Sequence, residues 1–195
     1  MFLNGRLFYE KGGLLMNIVE PIRKKHDIEI LEIFLKERSL RDLLLFVLGT
    51  NSGLRISDIL ALNVRDVKNK THITIREKKT GKFKKFPINS KLKSIIDEYT
   101  KDRINDEPLF KTKFNNRLER VGAYMILKNV SQKAGIEENI GTHTLRKTFG
   151  YHHYKQFKDI AILQKIFNHS NPEVTLRYIG IEQSQIEESY SNFIL

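Results

Sequence analysis

Three observations predict an α+β fold, mostly α-helical, with a small three-stranded antiparallel sheet. Apolar residues recur at helical spacing on both sides of the chain's middle. One stretch, from His72 to Ile88, changes to a period of two. The hydrophobic fraction of 40% is enough to build a core for 195 residues, and no repeat or composition break marks a second domain.

The elements follow in order. The helical pattern begins near Asp27, with Leu31, Phe34 and Leu35 at helical spacing. Ser39 is placed to cap the next helix. Leu43 to Leu48 is apolar all round, the mark of a helix buried at the centre of a domain. Asn51-Ser52-Gly53 ends it, because glycine accepts the left-handed terminating conformation. A short helix follows from Ile56 to Leu62, and Val64 to Val67 is assigned to a strand. Two better-marked strands are His72 to Arg76, which alternates polar and apolar residues, and Lys82 to Ile88. Thr80-Gly81 turns between them and leaves Lys78, Lys79 and Lys82 at a basic tip. Ser90 opens a helix to about Lys101, and a polar connection carrying Pro108 runs from Asn105 to Asn116. Leu118, Val121, Met125 and Val130 mark a helix ending near Gly135. Thr142 caps a helix over His143 to Gln156, and Ile160 to Phe167 forms another. Asn171-Pro172-Glu173 starts the helix that carries Tyr178, with Asn as N-cap and Pro at the first helical position. Glu182 to Leu195 is a separate amphipathic tail with Ile186, Tyr190, Phe193 and Ile194 on its apolar face.

Residues 1–16 read as a translated leader or as a flexible arm, and 17–195 as one domain. The leader reading rests on Lys11-Gly12-Gly13, whose codons can spell a purine-rich ribosome-binding sequence just before Met16.

Lys and Arg number 34 against 23 Asp and Glu, a net charge of +11. A polyanion explains such an excess, since each cation placed on a phosphate releases a condensed counterion. With no cysteine, disulfides, thiolate nucleophiles and cysteine-based zinc sites are excluded. The longest apolar run is too short to span a bilayer, and the N-terminus lacks the pattern of a signal peptide. A soluble, cytoplasmic protein is expected.

Three clusters carry the chemistry. The first is Gly53-Leu54-Arg55-Ile56-Ser57-Asp58. The second is His143-Thr144-Leu145-Arg146-Lys147-Thr148, in which His143 and Arg146 share a helical face. The third joins His169-Ser170 to Thr175-Leu176-Arg177-Tyr178 across a helix start. Singly, each has a plainer reading. Arg55 could pair with Asp58, His143 and Arg146 could form a solvated face, and Tyr178 could pack beside Leu176 and Ile179. His152 and His153 suggest zinc, but without Cys or an HExxH pattern they do not make a site. Together the clusters match the demands of breaking a phosphodiester without a metal. Arginine forks bond two non-bridging oxygens at once and stay charged. Preorganised donors of this kind are usually the largest catalytic contribution. A phenol can attack phosphorus and conserve the bond energy as a phosphotyrosine.

In this order and spacing, Gly53 to Val64, His143 to Arg146, and His169 with Tyr178 nine residues on resemble the tyrosine recombinases of the phage-integrase type. The resemblance runs from about Asp27 to Tyr190. It implies the catalytic-domain fold of that family; most members also carry an N-terminal core-binding domain, and only a short segment stands before the catalytic pattern here, so the chain reads as a one-domain member or as a fragment. It implies Arg55 and Arg146 as the paired arginines on the scissile phosphate, and His143 as base or donor near the nucleophile. Lys79 would be the acid toward the 5′-oxygen, and His169 a donor to a non-bridging oxygen. Tyr178 would be the nucleophile, and Asp58 would orient active-site groups from behind. Lys78, Lys82 and Lys147 are read as DNA contacts. The implied partner is double-stranded DNA, bound as a tetramer by a protein monomeric when free, with no metal or other cofactor. The implied outcome is integration or excision of phage or mobile-element DNA. One departure is Asn168, where the family often has glycine. Two other readings stay open: a DNA-binding module without catalysis, and a relaxing enzyme on one duplex like a type IB topoisomerase. The tail either folds back on its own domain or is donated to a neighbouring protomer.

Overall fold

The computed structural model describes residues 19–181 and 189–194. The leader region and Ile186 of the tail lie outside the described residues. The elements are α1 (Lys25–Arg38), α2 (Leu40–Ser52), α3 (Ile56–Ile59), β1 (His72–Arg76), β2 (Phe83–Pro87), α4 (Ser90–Thr100), α5 (Arg120–Lys133), α6 (Thr142–Phe157), α7 (Ile160–Phe167) and α8 (Pro172–Ile179).

Helix α2 is the centre of the core, as its uniformly apolar run predicts, with Leu43 to Leu48 all buried. Around it pack α1, α4 and α6. Ser39 caps α2 by accepting from the Asp42 backbone N–H at 3.2 Å. Gly53 ends it at φ 60°, and a Cβ there would meet the Phe149 ring at 2.5 Å. Both backbone conformation and space therefore require glycine at this turn.

The described sheet has two strands, not three. His72 pairs with Pro87, Ile75 with Lys84 and Arg76 with Phe83 in an antiparallel register. The expected third strand is a 3₁₀ turn over Val64–Asp66. Val64 and Val67 are both fully buried. Residues three apart eclipse in a 3₁₀ turn but face opposite sides of a strand. The Asp66 carboxylate also takes the Asn63 backbone N–H at 2.8 Å, a local bond that competes with a ladder.

Helix α5 is where predicted, but another face is buried. Val121 is 70% and Met125 45% exposed, whereas Ala123, Ile126, Leu127 and Val130 are buried. That second set follows the i, i+3, i+4, i+7 spacing of a helix stripe more closely. Helix α4 opens at Ser90 as expected, with Asn89 as its cap, accepting from Leu92 N at 2.8 Å. Smaller shifts occur at other helix ends. Thr142 is the first residue of α6 rather than its cap, and α3 stops at Ile59 rather than Leu62.

A second apolar cluster, Leu163, Phe167 and Ile179, joins α6, α7 and α8, with Phe149 and Tyr178 packed against it. Gly150 on α6 permits this approach, since a Cβ there would lie 2.6 Å from Ile179 Cγ2 and 2.8 Å from the Phe167 ring. Gly150→Ala is expected to cost about 1–2 kcal/mol by chemical denaturation. Overpacking of ~1–3 kcal/mol outweighs the ~1 kcal/mol helix-propensity gain. An unchanged or raised midpoint would mean that α8 can shift freely.

Residues preceding α1 are strapped along α6. Ile22 N donates to Thr148 Oγ1 at 2.9 Å, and His152 Nε2 sits 2.9 Å from the Ile22 carbonyl oxygen. Among the described residues, no helix is long and apolar enough to cross a membrane.

Candidate active site

The three sequence clusters converge on one face. Gly53 turns the chain so that Arg55 stands at the N-cap of α3 in an extended conformation. His143 and Arg146 lie on the first turns of α6, and Asn168, at φ 52°, ends α7 just before His169. Asn171 caps α8 through Val174 N at 2.9 Å with Pro172 following it, and Tyr178 sits on the last turn of α8.

The Tyr178 hydroxyl lies 3.4 Å from His143 Nδ1. Its ring is held edge-on by Phe167 at 5.6 Å and His169 at 5.2 Å. Burial raises the phenol's pKa above its usual value, against the charges of Arg146 and Arg55 that favour the phenolate. The phenol therefore enters any reaction protonated and needs an acceptor. Burial, aided by the cations Arg120, Lys147, Arg146 and Arg55, holds the His143 imidazole below the usual histidine range. His143 is thus neutral at pH 7 and able to accept a proton.

Arg146 is 3% exposed. It donates to the Gly53 carbonyl and, at 2.8 Å, to the Phe167 carbonyl. Its guanidinium also stacks 4.2 Å from the Phe167 ring centroid. One side chain therefore ties the turn after α2 to the end of α7 and is itself preorganised. His169 is oriented by Thr175, with Nδ1 to Oγ1 at 3.0 Å. Burial, then Arg146, Arg55 and Lys79, lower its pKa.

Arg55 pairs with Glu77 at 3.1 Å, not with Asp58. Asp58 is buried and accepts from the Lys78 backbone N–H at 3.0 Å, so it holds the hairpin. Lys78, Lys79 and Lys82 are exposed on that hairpin. Lys147 does not stand free: its Nζ donates to the Val19 carbonyl at 2.9 Å and lies 5.4 Å from the Tyr178 ring centroid.

Two residues of this region went unread in the sequence. Glu77 is a single acid in a run of cations, and that isolation was the available signal. Lys84 sits on the inward, half-buried face of β2 with Phe86. Its Nζ is 3.4 Å from the Ser52 carbonyl oxygen. Its pKa falls to about 8, through burial first and then Arg146, with Glu77 opposing and Arg55 adding. The alternation of β2 could have placed it facing inward, but not beside these arginines.

Known proteins share this arrangement of elements. The chain matches the phage integrase family over residues 22–185. It is 49% identical over 179 residues to the probable integrase/recombinase YoeC of Bacillus subtilis (strain 168), covering 91% of this chain and 98% of that protein. The crystal structure of XerA recombinase superposes with a TM-score of 0.74 at 20% identity, over 92% of this chain and 68% of that one. A lambda integrase dimer bound to a COC′ core site gives 0.67 at 14% identity, over 83% of this chain and 48% of that one. These two likenesses are of fold. By the family match and the identity to YoeC, the chain belongs to the phage integrase family, the tyrosine site-specific recombinases that act on DNA.

Proposed function

We propose that this chain cleaves and religates DNA through a 3′-phosphotyrosine on Tyr178, without a metal, in integration or excision of phage or mobile-element DNA. The observation that carries this reading is the Tyr178 hydroxyl 3.4 Å from His143 Nδ1, with Arg146 anchored beside it. The phenol oxygen attacks phosphorus while His143 takes its proton. Arg55, Arg146 and His169 hold the non-bridging oxygens. The bond to the 5′-oxygen breaks, and Lys79 protonates that oxygen as it leaves. Rejoining runs the same steps backward, with a 5′-hydroxyl attacking the phosphotyrosine. Lys78 and Lys82 would contact phosphates from the hairpin; Lys147 would do so only by releasing Val19.

The working assembly in this reading is a DNA-bound tetramer of chains that are monomeric when free, acting in the cytoplasm. Tyr190, Phe193 and Ile194 of the tail are 78%, 69% and 88% exposed, which supports donation of the tail to a neighbouring protomer.

The test is incubation with a library of nicked duplexes of random sequence in the presence of a chelator. A denaturant-resistant adduct should form, and peptide mapping should place it on Tyr178. Retained DNA binding with no adduct from the whole library would overturn the reading in favour of a binding module.

The histidine makes a pH prediction. With its pKa lowered, His143 keeps its acceptor through the usual histidine range, near 6.5. Single-turnover cleavage should stay flat as pH falls to about 6.5 and decline only below it, when protonation removes the acceptor. A rate already halved at pH 7 would show that His143 is not the acceptor.

A further inference from the structure

Glu77 is 1% exposed, yet it is a carboxylate and lies outside all three sequence clusters. Its oxygens meet groups from three separate segments. Oε1 is 3.1 Å from Arg55 Nη1 at the start of α3. Oε2 accepts from Thr80 Oγ1 at 2.7 Å, within the hairpin, and from Asn168 Nδ2 at 2.9 Å, in the loop that leads to His169. The hairpin also closes around its backbone: Glu77 N donates to the Lys82 carbonyl at 2.9 Å and Gly81 N to the Glu77 carbonyl at 2.8 Å.

A buried carboxylate without such partners would cost several kcal/mol. Burial alone would push this one toward its neutral form. The hydrogen bonds from Thr80 and Asn168, with the Arg55 charge, reverse that, and its pKa lies below the usual range. It is therefore ionised, with two donors on Oε2 and the Arg55 charge set against Oε1, which makes no hydrogen bond of its own among the described residues. Asn168 has a backbone at φ 52° that glycine would adopt at least as easily. What its side chain adds is the bond to Glu77.

We propose that Glu77 is a positioning residue that fastens the Lys79 hairpin and the His169 loop to Arg55, so that the proton donor and the phosphate-binding groups are set as one unit. This rests on the reading of Lys79 as the acid toward the 5′-oxygen. Lys79 neighbours Thr80 and lies two residues from Glu77, while its own ammonium is on the exposed tip. Its approach to the leaving oxygen is governed by how the hairpin is anchored, through Glu77 and through the Asp58 bond to Lys78 N.

The test compares single-turnover adduct formation on ordinary DNA and on DNA with a sulfur in the bridging 5′ position. A thiolate leaves without a proton, so a defect in proton delivery disappears on the second substrate and a general loss of structure does not. Lys79→Ala serves as reference. Glu77→Gln should slow cleavage of ordinary DNA about 10²-fold, the usual worth of a placed acid, and come within about 10-fold of wild type on the sulfur substrate. Thr80→Val, on the exposed hairpin and without risk to the core, should show a smaller defect of the same kind. Equal slowing of Glu77→Gln on both substrates would show that it does not set the proton donor, and no slowing on either that it sets neither group; each would overturn the proposal. Should the wild type form no adduct on either DNA, the catalytic reading itself fails. If Lys79→Ala is not rescued by sulfur, the acid assignment fails and this proposal with it.

Discussion

Tyr178→Phe should leave the fold and DNA binding intact and abolish the covalent protein–DNA adduct, a loss on the order of 10⁵-fold or more. The ring's contacts survive the substitution: Phe167 and His169 stay edge-on, and Lys147 stays over its face. Loss of the hydroxyl gives up a long bond to His143, at 3.4 Å, and a contact with the Arg146 guanidinium, which keeps its bonds to two backbone carbonyls. The stability change should therefore stay within ~1 kcal/mol. Gel separation of the denatured adduct, with thermal melting of the same samples, checks both halves. An adduct of undiminished yield from the Phe variant would place the nucleophile elsewhere.

Replacing Arg146 should damage both stability and rate. Arg146→Met keeps much of the side-chain volume but leaves the Gly53 and Phe167 carbonyls without the donors they have now. Each buried acceptor left unsatisfied costs about 1–3 kcal/mol, and the stacking on Phe167 at 4.2 Å is lost as well. A total of ~3–5 kcal/mol is expected by chemical denaturation. In the reading of Arg146 as a clamp on phosphate, adduct formation should fall about 10²–10³-fold under conditions where the variant remains folded. Arg146→Lys should lie between, because an ammonium keeps the charge but loses the planar fork. A Met variant as stable as the parent would show that the two carbonyls find other donors. An unchanged rate in that variant would remove Arg146 from the site.

The split between the two damaged quantities matters for how the site is built. Arg146 is at once a structural tie and a candidate clamp, so its placement follows from the same bonds that hold α7 against the turn after α2. The same economy appears at Glu77, where one carboxylate meets an arginine, a hairpin hydroxyl and a loop amide.

Local signals in the chain were enough for much of the fold. The uniformly apolar Leu43 to Leu48 became the central buried helix. Gly53 terminated it in the left-handed conformation, and Asn171-Pro172 opened the helix of Tyr178. Caps, glycine turns and apolar periodicity are written within a few residues of where they act, so a sequence states them directly. The family membership was legible for a related reason: the arginines, histidines and tyrosine keep a fixed order along the chain.

Other features were settled only in three dimensions. Val64 to Val67 carries β-branched residues, yet its two valines are buried on one side of a 3₁₀ turn because the core lies there. Helix α5 presents Val121 to solvent because the neighbours available to it meet a different stripe. Arg55 had Asp58 one turn away but pairs with Glu77, and Lys147 reaches the carbonyl of Val19 rather than open solvent. Lys84 drops to a pKa of about 8 because folding brings it out of water beside Arg146. Periodicity and capping belong to the local chain, whereas pairing, burial and charge depend on distance in space, and only tertiary packing brings residues far apart in sequence to those distances.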